Sequence, residues 1–288
     1  MAGGMSLEER IQFDTQGYVV WPEVLEPDLV KDLNDLIDRH QSALIEGFGF
    51  DYNVGDDLGA GDFQLKGGSI KSINNIIALD DLFFDLALHP VLFPKMADVW
   101  EGNIRLLGTD YLASPPGARP SLGWHNDVIK HDYPSIAVGD SILRCHLLVM
   151  LTDVGPNDGP TIVIPGSHRW QQGTQLPEEW IGRTDPEALP GHVEITGRAG
   201  TAWFFNTRIT HAQSPNDSDR WRRMLLYIFA HRFQREIHYL WRFPEGRLAE
   251  LNTSPISAQL LGLTPAWDEP YAEYEVPPRW RTAVGTPA

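Results

Sequence analysis

The amino-acid sequence predicts a mainly β protein with flanking α-helices. Helical periodicity is concentrated in the first hundred residues, whereas residues from about 104 to about 235 form short apolar runs separated by turns. The 288 residues include 22 Pro and 26 Gly, which is typical of a chain with many turns and irregular connections. Six or more short strands in succession indicate a sandwich or a barrel.

The N-terminal part, about residues 1–103, is predicted to be mainly helical around one early strand. The stretch GYVVW is rich in β-branched and aromatic residues and is broken at Pro22, so it is predicted to be that strand. Pro27 opens an amphipathic helix, whose apolar stripe consists of Leu29, Val30, Leu33, Leu36 and Ile37. A second helical pattern, LDDLFFDLALHPVLFPKMADVW, is interrupted at Pro90.

The core of the predicted barrel, about residues 104–235, contains the apolar runs IRLLGTDYLA, ILRCHLLVMLTDV, TIVIPG, HVEITG, TAWFFN and RMLLYIFAH. Each run is bounded by turn residues, so each is predicted to be a strand. We find no internal repeat and no low-complexity linker between this core and the helices. One domain over residues 1–288 is therefore predicted.

Two segments carry little periodicity. Residues 47–68 are rich in Gly and Asp and are predicted to be a long loop, a type of segment that often binds a ligand or covers a site. The tail, about residues 236–288, is predicted to be irregular and holds Trp241, Trp267 and Trp280. Three interpretations of the tail stay open: a cover over the barrel mouth, a homodimer contact, and ordinary packing.

Composition excludes several functional classes. The formal charge of −16, from 39 acidic and 23 basic residues, repels nucleic acid, so no nucleic-acid partner is expected. No apolar run has the length of a membrane span, and the start MAGGMSLEER does not resemble a signal peptide, so a cytoplasmic protein without a membrane partner is expected. The single Cys145, in a predicted strand, excludes an intrachain disulfide and is expected to be a core residue.

The strongest chemical signal is a split set of three residues: His125 and Asp127 in GWHND, and His211 in THAQSPND. Two imidazoles and one carboxylate hold non-haem Fe(II) in many oxygenases and leave coordination positions open. In extended chain, residues two apart point to the same side, so His125 and Asp127 can face one ion while Asn126 points away.

Two other pairs compete for the same role. His192 and Glu194 have the same spacing but no comparable partner downstream, so they are predicted to be ordinary strand residues. His131 and Asp132 are adjacent, so in a strand they would face opposite sides and could not chelate one ion.

An arginine that could bind an anionic second ligand lies downstream of His211. The run TAWFFNTRIT is predicted to be a strand ending at His211, and a hairpin to the next strand would bring Arg222 back beside it. A guanidinium can form two parallel hydrogen bonds to a carboxylate. Arg220 and Arg223 remain alternatives because the strand reads as buried on both faces.

With these residues in place, the chain resembles the phytanoyl-CoA dioxygenase family of Fe(II)/2-oxoglutarate-dependent oxygenases from about Glu8 to Arg232. The resemblance lies in GYVVWPEVLEPDLVKDL, WHND, LTDVGPNDGPTIVIPGSHR and HAQSPNDSDRWRR. It implies a double-stranded β-helix, which is a squashed jelly-roll, cupin-like barrel flanked by helices.

The resemblance also implies roles for the metal and cosubstrate residues. It implies that His125, Asp127 and His211 bind Fe(II), and that Arg222, rather than either neighbouring arginine, binds the far carboxylate of 2-oxoglutarate. The presence of Asp127 disfavours halogenation, since halogenases of this fold carry a small residue there. His168, in PGSH, is expected to be a structural turn residue.

Further cosubstrate contacts are implied less directly. Thr161, in GPT, matches a position whose hydroxyl often contacts the cosubstrate. Lys71 is similar to an upstream basic position that lines the cosubstrate site in some members, and Asn74 could take that part instead. The chain departs from the family pattern at Gln213, where many members have Ser, and at Ser114, where some relatives have Lys.

The expected function is oxidation, foremost hydroxylation, of a C–H bond in a small, largely apolar metabolite of natural-product biosynthesis, with Fe(II), 2-oxoglutarate and O2. The acidic charge, the aromatic content and the lack of a basic CoA-binding cluster favour such a substrate. Desaturation, epoxidation and rearrangement stay open, as do a non-catalytic 2-oxoglutarate- or iron-binding barrel and a cupin-like metal isomerase or hydrolase. Phe63, Trp124 and Trp241 are candidates for substrate selection or for packing.

Overall fold

A computed structural model describes residues 3–45, 65–66, 69–70, 72–119, 123–127, 144–170, 191–234, 243–265, 270 and 274–281. The helices are α1 (Leu7–Gln16), α2 (Pro27–Ile45), α3 (Asp81–Ala87), α4 (Leu92–Asp98), α5 (Arg247–Leu251) and α6 (Pro255–Leu260). The strands are β1 (Tyr18–Trp21), β2 (Leu65–Lys66), β3 (Ser69–Ile70), β4 (Ser72–Asn74), β5 (Ile104–Ser114), β6 (Arg144–Met150), β7 (Thr161–Val163), β8 (Val193–Ile195), β9 (Ala202–Asn206), β10 (His211–Gln213) and β11 (Arg222–His231).

The described residues group into two compact units. The helical unit is drawn from Met1–Leu7, Lys31–Tyr111 and Tyr227–Ala288. The sandwich unit is drawn from Glu8–Val30 and Leu112–Leu226. Because the chain boundaries fall within β5 and β11, each of these strands contributes to both units. The single domain expected from the sequence stays a prediction.

Two sheets form the sandwich unit. In one sheet β1, β9, β6 and β11 lie side by side in that order, and β9 pairs antiparallel with both β1 and β6. In the other sheet the order is β10, β7 and β8, and β7 pairs antiparallel with both neighbours. The predicted apolar runs of the core are therefore confirmed as strands.

Apolar side chains from both sheets form one buried cluster. Trp203 and Phe205, two residues apart on β9, point to the same side and stack with ring centroids 4.4 Å apart. Val163 and Ile195 join them from the smaller sheet. Complete burial of such side chains contributes about 1.5–3 kcal/mol each. The core thus lies between the two sheets and is formed by the side chains that point inward, which alternate along each strand with those that point outward.

The chain between β9 and β11 does not form the predicted hairpin, so that prediction is wrong. β9 ends at Asn206, whose carbonyl accepts a hydrogen bond from the Ile209 N–H at 2.9 Å. His211 therefore begins a separate strand, β10, in the smaller sheet, and the chain then returns to the larger sheet as β11. The turn was hidden in the sequence because Ile209 is fully buried in the core and extends the apolar run.

The helical patterns are confirmed in the structure. The apolar stripe of α2 is buried at Val30, Leu33, Leu36 and Ile37. The second pattern forms α3 and α4, which are separated around Pro90. The Asp80 side chain accepts the Leu82 N–H and so caps the start of α3. No helix in the described part of the chain combines the length and apolar character needed to cross a membrane.

The tail is not irregular throughout, which corrects the sequence prediction. It contains α5 and α6, and α6 begins at a capping box. Ser254 accepts the backbone N–H of Ser257, whose hydroxyl in return accepts the Ser254 N–H, and Pro255 occupies the first turn. The signal was present as Ser-Pro-x-Ser, but the surrounding prolines obscured it.

Side chains of the tail are packed within the helical unit. The Gln259 amide donates to the carbonyls of Gly102 and Ile104 at 2.8 and 3.0 Å. Trp280 is buried, and its indole N–H donates to the Asp85 carbonyl at 3.0 Å. Packing therefore explains Trp280, whereas the cover and homodimer interpretations of the tail stay predictions.

Several sequence predictions fall wholly or partly outside the described residues. The predicted 47–68 loop is described only at β2, which pairs with β3, so the loop prediction is wrong at Leu65 and Lys66. The other residues of that segment, including Phe63, lie outside the described residues, as do Trp241, Trp267, His131 and Asp132. The roles expected for them stay predictions.

Candidate active site

Backbone pairing brings the two halves of the His–Asp–His set together. The N–H of His125 donates to the carbonyl of His211 at 2.9 Å, and the N–H of His211 donates back at 2.8 Å. This bridge places the two imidazole centroids 4.3 Å apart. The N–H of Asp127 donates to the Thr207 carbonyl at 2.9 Å, which fixes the short His-x-Asp segment at its other end.

Backbone carbonyls orient both imidazoles in the same way. Nδ1 of His125 lies 2.7 Å from the Gly123 carbonyl oxygen, and Nδ1 of His211 lies 3.1 Å from that of Ile209. Because a carbonyl oxygen can only accept, Nδ1 carries the ring proton in each neutral imidazole. Nε2 of each ring is then left with a lone pair, which is the form in which histidine binds a metal.

The three side chains converge on one point. Their ligand atoms all lie within 4.8 Å of one another, and no second such group occurs among the described residues. Nε2 of His125 lies 3.7 Å from Oδ1 of Asp127, and Nε2 of His211 lies 3.6 Å from Oδ2. Oδ2 is buried and has no hydrogen-bond partner among the described residues. The donor set of two imidazoles and one carboxylate fits a divalent metal such as Fe(II).

The electrostatics favour the protonation states that a metal needs. Burial, reinforced by the neighbouring His211, lowers the pKa of His125 below its ordinary value. Burial alone would raise the pKa of Asp127, but the surrounding imidazoles, His211 foremost, together with Arg144, lower it overall. These shifts favour a neutral His125 and an ionised Asp127, which are the forms in which these two side chains bind a metal.

Two residues beside the set were missed in the sequence. Arg144 of β6 donates to the Asp127 carbonyl at 3.1 Å. Nδ1 of His146 lies 3.4 Å from Oδ2 of Asp127, and burial lowers the pKa of His146 to about 4. The signal was available, because residues 144 and 146 share a strand face with Leu148, a core residue. Polar residues at such positions face the interior.

The Arg222 side chain is buried, unlike those of the two neighbouring arginines. It is 5% exposed and donates to the Gly159 carbonyl at 2.6 Å, whereas its Nε has no partner among the described residues. Burial lowers the pKa of Arg222 to about 10, so the guanidinium is still charged at neutral pH. Arg220 instead forms an ion pair with Asp158 at 2.6 Å. Arg223 is half-buried on the opposite strand face.

The β10–β7 ladder connects Arg222 to the metal-facing residues. Gln213 is paired with Thr161, two residues beyond Gly159, and lies two residues from His211, about 7 Å along the strand on the same face. Gly159 has a φ of +71°, and a Cβ there would lie 3.0 Å from the Ser214 carbonyl oxygen. A side chain at 159 would therefore disturb the carbonyl that holds Arg222.

The two departures from the family pattern contact each other. The amide of Gln213 donates to the hydroxyl of Ser114 at 3.2 Å. Ser114 is buried at the end of β5, and Gln213 is half-buried on β10. In this chain the two positions therefore share one hydrogen bond.

The described structure does not place the other two predicted cosubstrate residues beside Arg222 or the His–Asp–His set. Asn74 ends β4 in the helical unit and is half-buried. Lys71 lies outside the described residues. Their contact with the cosubstrate stays a prediction.

The remaining candidates have structural roles. Nε2 of His168 hydrogen-bonds to the Asp14 carbonyl at 3.1 Å, as expected of a turn residue. Glu194 lies on β8, as the sequence predicted, whereas His192 directly precedes the strand, and neither belongs to the metal group. Trp124 packs in a separate apolar cluster with Ile162, so packing explains it better than substrate selection. Cys145 is a buried core residue, as expected.

The sandwich of two sheets with a two-histidine, one-carboxylate group defines a class of protein, the non-haem metal oxygenases of the jelly-roll fold. The family model described as phytanoyl-CoA dioxygenase matches residues 13–224. The chain therefore belongs to the phytanoyl-CoA dioxygenase family, and it is an Fe(II)/2-oxoglutarate-dependent dioxygenase, as the sequence predicted.

Individual relatives agree with this assignment. Ectoine dioxygenase of Stutzerimonas stutzeri strain A1501 is 23% identical over 241 residues, which cover 76% of this chain and 75% of the relative. The structure of HygX from Streptomyces hygroscopicus with nickel and 2-oxoglutarate bound superposes with a TM-score of 0.62 at 18% identity, covering 81% of this chain and 90% of HygX.

A third similar structure is SnoK, a non-heme alpha ketoglutarate dependent carbocyclase from nogalamycin biosynthesis. It gives a TM-score of 0.57 at 21% identity and covers 78% of this chain and 84% of SnoK. The two superpositions confirm the predicted double-stranded β-helix fold.

Proposed function

We propose that this dioxygenase binds Fe(II) through His125, Asp127 and His211, and binds the far carboxylate of 2-oxoglutarate through Arg222, with Thr161 as a further cosubstrate contact. We also propose that it hydroxylates a C–H bond of a small metabolite. The observation that carries the metal assignment is the convergence of three ligand atoms within 4.8 Å. When bound, Fe(II) with 2-oxoglutarate and O2 supplies the oxidation of the substrate, with succinate and CO2 as the other products.

The chain's own residues orient the reactants. Backbone carbonyls hold the two imidazoles with Nε2 toward one point, so the metal does not have to reorganise them. Arg222 is a buried cation without a carboxylate partner among the described residues, and a dicarboxylate would neutralise it. Thr161 adds a buried side chain with a hydroxyl at the start of β7, two residues from the carbonyl that Arg222 contacts.

The substrate is proposed to be a small, largely apolar metabolite of natural-product biosynthesis. The charge of −16 and the aromatic content support a ligand that is not a polyanion. The names of the relatives refer to small molecules: ectoine for one, and nogalamycin biosynthesis for SnoK. Since ectoine is polar, a substrate panel should include polar and apolar compounds.

A second outcome with the same cofactors is ring formation or rearrangement. The similar structure SnoK is called a carbocyclase, which shows that a related barrel supports ring closure. Product analysis by mass distinguishes the two outcomes, because hydroxylation adds one oxygen atom and cyclisation removes two hydrogen atoms.

The cofactor assignment is tested by anaerobic titration of the metal-free protein with Fe(II) and 2-oxoglutarate. A visible metal-to-ligand charge-transfer band is expected in the wild-type protein. Arg222→Ala should weaken 2-oxoglutarate binding at least about 30-fold, since it removes charged hydrogen bonds to a buried carboxylate. Fe(II) binding without the band would contradict 2-oxoglutarate chelation. If no succinate forms after O2 is admitted to the complex, with or without the substrate panel, catalysis is contradicted.

A further inference from the structure

His146 occupies an interior position that the proposed metal site does not use. It lies on β6, is 9% exposed, and pairs across the sheet with Phe205 of β9. Its ring meets the Phe205 ring edge-on, with centroids 5.2 Å apart and an interplanar angle of 78°. Phe205 makes a similar contact with His211 at 5.2 Å. The Phe205 ring therefore packs against the imidazoles of both His146 and His211.

Oδ2 of Asp127 is buried and lacks a hydrogen-bond donor, and among the imidazoles beside it that the structure describes, only that of His146 can supply one. His125 and His211 both use Nδ1–H on a backbone carbonyl, so their Nε2 atoms carry no proton in the neutral ring. Nδ1 of His146 lies 3.4 Å from Oδ2. The contact needs to shorten by about 0.5 Å to reach the usual length of a hydrogen bond to a carboxylate.

We propose that His146 is a positioning residue for Asp127, donating Nδ1–H to Oδ2 and thereby leaving Oδ1 for the metal. A carboxylate held in this way binds through one oxygen, so the second oxygen does not occupy a coordination position that the cosubstrate or O2 requires. The inference rests on the proposed function, because it assumes that Asp127 is a metal ligand.

Two substitutions of His146 separate hydrogen bonding from packing. His146→Phe keeps a ring against Phe205 but removes the donor. His146→Asn removes the ring but carries an amide nitrogen at the same bond separation from Cβ as Nδ1. Cys145→Ala, on the opposite face of the same strand, is the matched control for perturbation of β6.

The measurement is the dissociation constant and the visible spectrum of Co(II) bound to each purified full-length protein, with Fe(II) affinity as a second readout. His146→Phe is expected to weaken metal binding about tenfold or more and to shift the Co(II) bands, as loss of a hydrogen bond to a metal ligand does in other sites. His146→Asn and Cys145→Ala are expected to retain wild-type affinity and bands.

Two results would overturn the inference: wild-type affinity and bands in His146→Phe, or a loss in His146→Asn as large as that in His146→Phe, which would show that an amide donor does not restore the site. His125→Ala separates this from failure of the proposed function. If wild type and His125→Ala bind Co(II) equally well, the metal site itself is wrong and the inference fails with it.

Discussion

The proposed metal end of the site (His125, Asp127 and His211) and its proposed carboxylate end (Arg222 and Thr161) differ in how far their polar groups are satisfied without a ligand. At the metal end, backbone carbonyls satisfy both Nδ1 atoms, and three imidazoles surround one carboxylate. At the carboxylate end, a buried guanidinium has one backbone acceptor and no acid among the described residues. The first end is preorganised by the fold, whereas the second depends on its ligand for charge balance.

Among the variants proposed below, removal of a proposed metal ligand should cause the largest loss of ligand affinity. His211→Ala deletes one of the three proposed protein ligands, so Fe(II) or Co(II) binding is expected to weaken by more than about 100-fold. This exceeds the roughly 10- to 100-fold loss typical when a residue that only hydrogen-bonds to a metal ligand is changed. Calorimetric titration of the metal-free protein measures this. His192→Ala is the control, since it changes a histidine that lies outside the metal group. Comparable losses in both variants would argue against the assigned set.

Removing the buried cation should affect binding and stability differently. Arg222→Met is expected to weaken 2-oxoglutarate binding by about 30- to 1000-fold, because the carboxylate loses its charged partner. The unfolding free energy without cosubstrate should change by only about 1 kcal/mol, since relief of an unpaired buried charge offsets the lost bond to Gly159. Thermal unfolding with Ni(II), with and without 2-oxoglutarate, tests both statements.

A large loss of stability in Arg222→Met without cosubstrate would contradict the comparison. It would mean that Arg222 is already compensated by the fold and does not need an anionic ligand.

Asp110, in the helical unit, is a buried acid that can be neutralised by binding a proton, whereas Arg222 is proposed to be neutralised by a ligand. Burial raises its pKa from 3.8 to about 7, although the Asn75 N–H opposes the rise. The folded state therefore binds the proton more tightly than the unfolded chain. The stabilising contribution is full below about pH 4 and is lost as the pH rises through about 7.

Asp110→Asn should remove this pH dependence, because the amide is uncharged at every pH. The difference in unfolding free energy between the variant and the wild type is expected to change by up to about 4 kcal/mol between pH 4 and pH 8. Urea unfolding at several pH values measures it. A constant difference over this range would show that Asp110 is ionised in the folded protein.

The contact between Gln213 and Ser114 should have the smallest effect. Gln213→Ala removes one neutral hydrogen bond beside the carboxylate end, so 2-oxoglutarate binding should weaken only about fivefold. Ser114→Ala should do the same, and the double variant should be no weaker than either single one, because the bond is shared. Additive losses would indicate that each side chain contacts the cosubstrate independently.

Features that depend on local sequence were predictable. The His-x-Asp pair follows from strand alternation over three residues, and the α2 stripe follows from helical periodicity. The β9–β10 turn was not predictable, because a buried Ile209 makes its composition look like a strand. His146 could have been placed on the interior face of its strand, but its contact with Asp127, 19 residues earlier in the chain, could not, because the strand pattern gives no partner for an interior histidine.

The choice among three adjacent arginines shows the same limit. Local patterning leaves Arg220, Arg222 and Arg223 equivalent, and the distinction comes from distant partners. Asp158 pairs with Arg220, and the Gly159 carbonyl accepts from Arg222. Tertiary contacts therefore decide which cation is left for a ligand.

The PGSHR segment has a consequence for recognising distant relatives. His168 and the Arg169 guanidinium both bind the Asp14 carbonyl near the end of α1, and the N–H of Gly166 binds the carbonyl of Gln16. A Cβ on Gly17 would lie 2.5 Å from the His168 ring. The segment thus docks the amino-terminal helix and takes no part in the metal group. Homologues that keep this segment but lack the ligand residues should share the architecture without the chemistry, so database searches for active enzymes should weight the ligands over this signature.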